Sequence, residues 1–304
     1  MSQLSRREFA ALASAGALAT PAAFAQDAAR GAARITASAV IDRIRANVGV
    51  PWKADTVDTF KAGDPATVVH GIVTTTMATM DVLKKSVAAG ANLVITCEPT
   101  FFGKADSPNP PPGRGQAANA APDSVLAAKR EFIEKNGLVV WRFSDHWRLH
   151  TPDPLAQALS AEMDWTKYQA AGDATHFNLP AITLDALAAD LKKKLNIRGG
   201  MRVVGDPRTE IRKVGLLAGT TPLAASLKTM PGVDVIVAGE VREWESVEYA
   251  QDTVTAGIRK GMILLGRVVS EEPGMKLCAS WLKTIVREAP VTWIATGDPY
   301  WRPA

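Results

Sequence analysis

The sequence predicts an α/β protein in which mixed sheets are covered by helices. Three observations carry that expectation. Short, largely apolar runs such as residues 93–96, 233–237 and 262–265 have strand length and little polar content, the pattern of strands buried on both sides. Segments with helical periodicity separate these runs. Strands and helices therefore alternate along the chain, the order that builds helix-covered sheets.

The elements follow in order. Val40, Ile41, Ile44 and Val48 recur at helical spacing and predict a first helix. Residues 68–74 read as a strand, 80–89 as a helix and 93–96 as a buried strand. An irregular stretch over 98–122 contains Pro108-Asn109-Pro110-Pro111-Pro112-Gly113. Loops of that length are usually functional or disordered, and its 103–122 portion is a candidate lid or contact arm. Asp123 is placed to cap a helix over 123–135, and Gly137 to end it. A strand over 138–143 and a helix over 154–163 complete the first half.

A second half follows Gly172. Thr183 opens a helix that ends in Lys192-Lys193-Lys194, cations at the negative end of its dipole. Strands are expected at 203–204, 213–217, 233–237, 262–265 and 291–295, with helices over 223–230, 243–255 and 275–286. No internal repeat is evident. Open α/β sheets place their sites at the C-terminal ends of strands, which directs attention to the residues just after each run.

The chain has 304 residues and a formal charge of +4, with acidic and basic residues interspersed. That distribution argues against nucleic-acid binding. No stretch is long and apolar enough for a membrane span. Cys97 and Cys278 do not make a disulfide framework, and two buried thiols are expected.

Residues 1–25 have the layout of a removable leader. Ser5-Arg6-Arg7-Glu8-Phe9 precedes a short Ala- and Gly-rich apolar stretch, Pro21 breaks it, and Ala23-Phe24-Ala25 presents small residues for cleavage. The paired arginines point to twin-arginine export, hence a periplasmic or extracytoplasmic protein, with residues 26–304 as the mature chain.

Several strand ends carry polar residues. Glu98 follows 93–96, where a carboxylate either points to solvent or meets a cation. Residues 144–150 hold Asp145, His146 and His150, the two histidines four apart; this is a weak metal signal without the Glu of a metalloprotease motif. Ser270, Glu271 and Glu272 read as a cap and first turn of the next helix, and Glu240 as part of a helix start. Phosphate loops, dinucleotide fingerprints and nucleophile elbows are absent.

Taken together, these blocks resemble a known family. Gly90-Ala91-Asn92-Leu93-Val94-Ile95-Thr96-Cys97-Glu98-Pro99 with Phe101 is similar to "gadliitHHp-x-f", the opening signature of the Nif-three-like proteins, also described as type 2 homologues of GTP cyclohydrolase 1. Residues 138–150 resemble the family's "vy-x-x-H-x-x-x-D". Gly239-Glu240 and Gly266-Arg267 through Glu271 resemble its closing "itGE … aGHxxxE". The three blocks occur in family order over about residues 36–290.

The resemblance implies two related α/β lobes, about 36–170 and 175–290, with a metal pair between them, and a hexameric homo-oligomer. Carried over residue by residue, the implied ligand positions are Cys97, Glu98, His150, Arg267 and Glu271; only Glu271 keeps the family residue. His146 matches the family's non-bridging histidine. A guanidinium does not ligate metal, so Arg267 is expected to pair with Glu98 or Glu271, or to hold an anionic group of a substrate. The expectation is therefore one divalent ion (Zn, Mn or Fe) per subunit rather than two, held by Glu98, His150, Glu271 and Cys97. Glu240, His146 or Glu98 would move a proton in a metal-dependent hydrolase. The alternative is a non-catalytic oligomeric or binding protein with a degenerate metal site. Nothing in the chain resembles a guanine-reading or triphosphate-binding motif, so the cyclohydrolase label identifies no substrate.

Overall fold

The computed structural model describes residues 34–103, 105–108, 123–199, 201–301 and 303. The predicted leader over 1–25, and most of the loop read as a lid or contact arm, lie outside them. Residues 35–304 form one unit.

The first helix, α1 (Ala37–Asn47), is capped by Thr36, whose hydroxyl accepts from the Ala39 N–H, and buries Val40, Ile41 and Ile44. Next come β1 (Phe60–Ala62), β2 (Ile72–Thr75), α2 (Met80–Ala88) and β3 (Leu93–Thr96). The Asp123 carboxylate accepts from the Leu126 N–H and caps α3 (Ser124–Lys135), as expected. Then follow β4 (Val139–Arg142), the single turn α4 (Asp145–Arg148) and α5 (Pro154–Glu162).

The chain continues through β5 (Gln169–Ala170), β6 (Asp173–Thr183), α6 (Leu184–Lys194), β7 (Arg202–Val204), β8 (Glu210–Thr220) and α7 (Leu223–Thr229). It ends with β9 (Val235–Glu240), α8 (Glu248–Thr255), β10 (Gly261–Leu264), α9 (Arg267–Ile285) and β11 (Val291–Trp293).

The strands form two mixed sheets, β1-β4-β3-β2-β11 and β5-β6-β8-β9-β10-β7. Strands β4, β3, β2 and β11 run parallel, as do β8, β9 and β10, while β1, β6 and β7 pair antiparallel with their neighbours. The expected architecture of mixed sheets covered by helices is therefore observed.

Successive side chains of a strand face opposite sides, so each sheet needs two covers. Leu93, Ile95, Val139 and Trp141 pack with α1 and α9, whereas Val94 and Val140 pack with α2 and α3. In the second sheet Val235 and Val237 pack with α5 and α6, whereas Ile236 and Ala238 meet Met230 and Ala250. A fully buried aliphatic side chain stabilises by about 1.5–3 kcal/mol, so these layers carry most of the fold's stability. Helix α9 touches β2 and β11 of one sheet and β8 and β9 of the other, and thus bridges the two sheets.

Four local readings are corrected. The expected strand over 68–74 is confined to Ile72–Thr75, with Val68 making an isolated bridge to Thr36. The helix expected over 243–255 begins as a π-helical turn over Glu243–Val247 before α8. Strands β1 and β6 were not foreseen; β6 has mostly exposed or half-buried residues and contains Pro180, so it lacks an apolar run. Helix α9 starts at Arg267 rather than 275 and carries Pro273 inside it. Ser270 is consequently not a cap: its hydroxyl donates to the Arg267 carbonyl at 2.8 Å and accepts from the Gly219 N–H at 2.9 Å.

Candidate functional site

The C-terminal ends of parallel strands from both sheets converge on the first turns of α9. Cys97 and Glu98 follow β3, held by Cys97 N–H to Thr75 O at 3.2 Å and Glu98 N–H to Thr76 O at 2.9 Å. Glu240 ends β9. Arg267 and Glu271 stand one helical turn apart on α9, so both face the same way.

Ligand-capable atoms of Cys97, Glu98 and Glu271 all lie within 4.8 Å of one another. Cys97 and Glu271 are fully buried and Glu98 is 2% exposed. Sequence reasoning left Glu98 between solvent and a cation, and preferred a capping role for Glu271. The structure buries both carboxylates.

Two guanidiniums answer these acids. Arg267 Nη2 lies 2.5 Å from Glu98 Oε2, its Nη1 3.6 Å from Glu240 Oε2 and its Nε 3.6 Å from Glu271 Oε1. Arg148 Nη2 donates to Glu271 Oε1. Glu271 Oε2 is buried and has no hydrogen-bond partner among the described residues. Burial, then the neighbouring Glu98, pushes the Glu271 carboxyl up to about 7. Burial, then Glu271, pushes the Cys97 thiol up to about 12. Burial works to lower the Arg148 pKa, but Cys97 and Glu271 beside it raise it overall, so it stays a cation.

Two glycines allow the close packing of the site. The pairing of β8 with β9 slips between Leu217 and Thr220, and Gly219 there has φ +74°. A Cβ at Gly219 would fall on the Arg148 guanidinium and the Glu271 carboxylate. One at Gly239 would fall on the Ser270 hydroxyl and the Gly219 backbone. Bulges of this kind re-aim a strand end beside active sites. The π-helical turn over Glu243–Val247, just after Glu240, is another irregularity frequent at functional sites.

The structure gives both histidines other partners. His146 is fully buried, stacked on Trp52 at 3.7 Å between centroids. Its Nε2 accepts from the Lys53 N–H at 2.9 Å, so the ring proton sits on Nδ1 and is donated to Asp58 Oδ2 at 2.7 Å. Asp58 also accepts from the backbone N–H groups of Ser144, Asp145 and His146. Both ring nitrogens are thus committed to fastening α4 to residues 53 and 58, and none is left to move a substrate proton. His150 does not join the Cys97–Glu98–Glu271 group. It packs edge-on against Trp147 and Trp281, and burial lowers its pKa. The helical turn ends at Arg148, and it is Arg148 that is delivered to Glu271. Arg148 lies within the 144–150 block singled out from sequence, but a basic residue there gave no sign of a buried acidic partner.

Comparisons with known proteins bear on the family and the fold. The model of the Duf34/NIF3 (NGG1p interacting factor 3) family matches residues 129–297, more than half of the chain. The chain belongs to the Duf34/NIF3 family. A hypothetical protein of Staphylococcus aureus, SA1388, has a similar structure with TM-score 0.67 at 17% identity, covering 89% of this chain and 100% of that one. Protein ybgI, of unknown function, aligns with TM-score 0.66 at 18% identity over 88% of this chain and 100% of its own. A Bacillus cereus protein related to NIF3 gives 0.63 at 14% identity, over 88% of this chain and 99% of that one. At such identities these structures establish the Duf34/NIF3 fold and nothing about chemistry. No curated protein sequence matches the chain.

In this Duf34/NIF3 chain, Cys97, Glu98 and Glu271 form a donor set with the spacing to hold a metal ion. Among the described residues Glu271 Oε2 has no hydrogen-bond partner, which leaves it available as a donor. The thiol is protonated as it stands, and a coordinated thiol loses its proton. Among the described residues no helix is long and apolar enough to cross a membrane.

Proposed function

We propose that this chain is a metal-dependent hydrolase that holds a single divalent ion at Cys97, Glu98 and Glu271. The observation that carries the reading is the buried donor triad with one carboxylate oxygen left without a partner. Charge supports one ion rather than two. The Cys97 thiolate and the carboxylates of Glu98, Glu240 and Glu271 would oppose Arg148 and Arg267, leaving two negative charges for one divalent cation to balance. A second would leave a buried excess of positive charge. Sulfur and oxygen donors together suit zinc, iron or manganese.

A divalent ion at this site would make a water molecule acidic near neutral pH. The residue placed to take that proton is Glu240, whose half-exposed carboxylate lies at the mouth of the site beside Arg267. Arg267, 30% exposed, borders the same opening and can orient an anionic oxygen of a substrate. Cys97 and Glu98 hold the inner wall, and α9 keeps bulk water away.

Elemental analysis of protein purified from metal-replete cells tests this. About one equivalent of zinc, manganese or iron per chain is expected, with a thermal shift when that metal is restored after chelation. Metal-free protein that shows no shift with any of the three sinks the proposal.

A second reading is favoured by the short Arg267–Glu98 and Arg148–Glu271 contacts: a non-catalytic oligomer whose own arginines fill a lost metal site. It expects Arg267→Ala to destabilise the protein more than Glu271→Ala, because buried carboxylates lose their counter-charge. The metal reading expects Glu271→Ala to abolish metal uptake. The Ser5-Arg6-Arg7-Glu8-Phe9 leader supports export to the periplasm, and the family resemblance supports a homo-hexamer. Cell fractionation and native mass test these two points.

A further inference from the structure

We propose that Arg267 is an exchangeable internal counter-cation: it neutralises Glu98 when no metal is bound and passes to Glu240 when an ion takes the triad. The inference rests on the single-metal reading above and states how access to that site is controlled.

The three guanidinium nitrogens of Arg267 each face a different carboxylate, and only one contact is short. Nη2 is 2.5 Å from Glu98 Oε2, whereas Nη1 and Nε stand 3.6 Å from Glu240 and Glu271. Nε has no hydrogen-bond partner. The two outer partners differ in setting: the Glu98 side chain is 3% exposed and that of Glu240 54%.

A guanidinium always carries its charge and has no lone pair for a metal, so it and a metal ion compete for the same carboxylate. Glu98 is one of the three donors of the triad, and its Oε2 is taken by Arg267. Without a cation, a carboxylate as buried as Glu98 would be costly. Arg267 removes that cost and thereby opposes metal entry. Glu240 supplies the place to which the guanidinium can retreat without losing a partner: it is already 3.6 Å away, on the open side.

Calorimetric titration of zinc or manganese into the chelator-treated full chain tests this, using wild type, Arg267→Gln, Glu240→Gln and the double variant. Arg267→Gln is expected to bind about tenfold more tightly and Glu240→Gln more weakly, since groups in contact couple on this scale. In the Arg267→Gln background the Glu240→Gln effect should vanish, because no guanidinium remains to be received. If Arg267→Gln fails to fold, Arg267→Lys runs the same cycle, its compact ammonium being unable to span two carboxylates. An Arg267 variant that binds no more tightly than wild type overturns the exchange. So does a Glu240→Gln penalty that persists undiminished in the Arg267 background, the signature of simple long-range attraction. Absence of binding in all four proteins overturns the single-metal reading and the exchange with it.

Discussion

Arg148 donates to Glu271 across the convergence of the two sheets, joining the turn after β4 to the first turns of α9. The carboxylate is fully buried and the arginine is 27% exposed. Removing the cation from such a pair leaves an uncompensated buried charge, which costs about 3–5 kcal/mol. Arg148→Ala should therefore lower the unfolding free energy by about 3 kcal/mol in urea titrations. A loss below about 0.5 kcal/mol, the scale of a surface pair, would show that the contact is not structural.

Stability should depend on pH through Glu271. Burial and Glu98 raise its carboxyl to about 7, above the ordinary 4.5, so the folded state binds this proton more tightly than the unfolded state. The contribution is fully present below about 4.5 and is lost as pH rises through about 7, amounting to on the order of 3 kcal/mol. In chelator-treated protein, Glu271→Gln should flatten the stability profile between pH 4.5 and 7. A wild-type profile with no such fall would place Glu271 at an ordinary carboxylate value.

Gly219 should not tolerate a side chain. Its φ of +74° disfavours any L-residue, and the added Cβ would meet both Arg148 and Glu271. Gly219→Ala should cost about 2 kcal/mol or more in thermal or urea unfolding. Part of that cost should disappear in an Arg148→Ala background, where one of the colliding groups is gone. Equal cost in both backgrounds would assign it wholly to backbone strain.

His146 should matter for stability and not for metal binding. Its two ring nitrogens join Asp58 to the Lys53 N–H inside the fold. His146→Ala should destabilise by about 2–4 kcal/mol, through a lost stack on Trp52 and a buried Asp58 oxygen left short of a donor. The folded variant should retain the metal content of the wild type. Loss of metal at unchanged stability would return this histidine to the functional site.

Much of the fold was legible in the sequence because its signals are local. Buried parallel strands such as Leu93–Thr96 read as uninterrupted apolar runs, and caps such as Asp123 and Thr183 act within three residues. Elements with weaker local signatures were missed: β6, at a largely exposed position, and the first two turns of α9, which contain Pro273. A proline interrupts one helical hydrogen bond, but packing of α9 against both sheets carries the helix through it.

For the site, Glu98, Glu240 and Glu271 were legible from their positions after the apolar runs, while Cys97 and Arg267 came from the family resemblance. Which of them meet was decided only by the tertiary structure. Whether Glu98 faces water or a guanidinium depends on where α9 lies, and α9 is placed by residues far away in the chain. The same packing set His146 and His150 aside and brought in Arg148, because a one-turn helix points consecutive residues in different directions. Burial, which raises the Glu271 carboxyl and the Cys97 thiol, belongs to the assembled layers and to no single stretch of sequence.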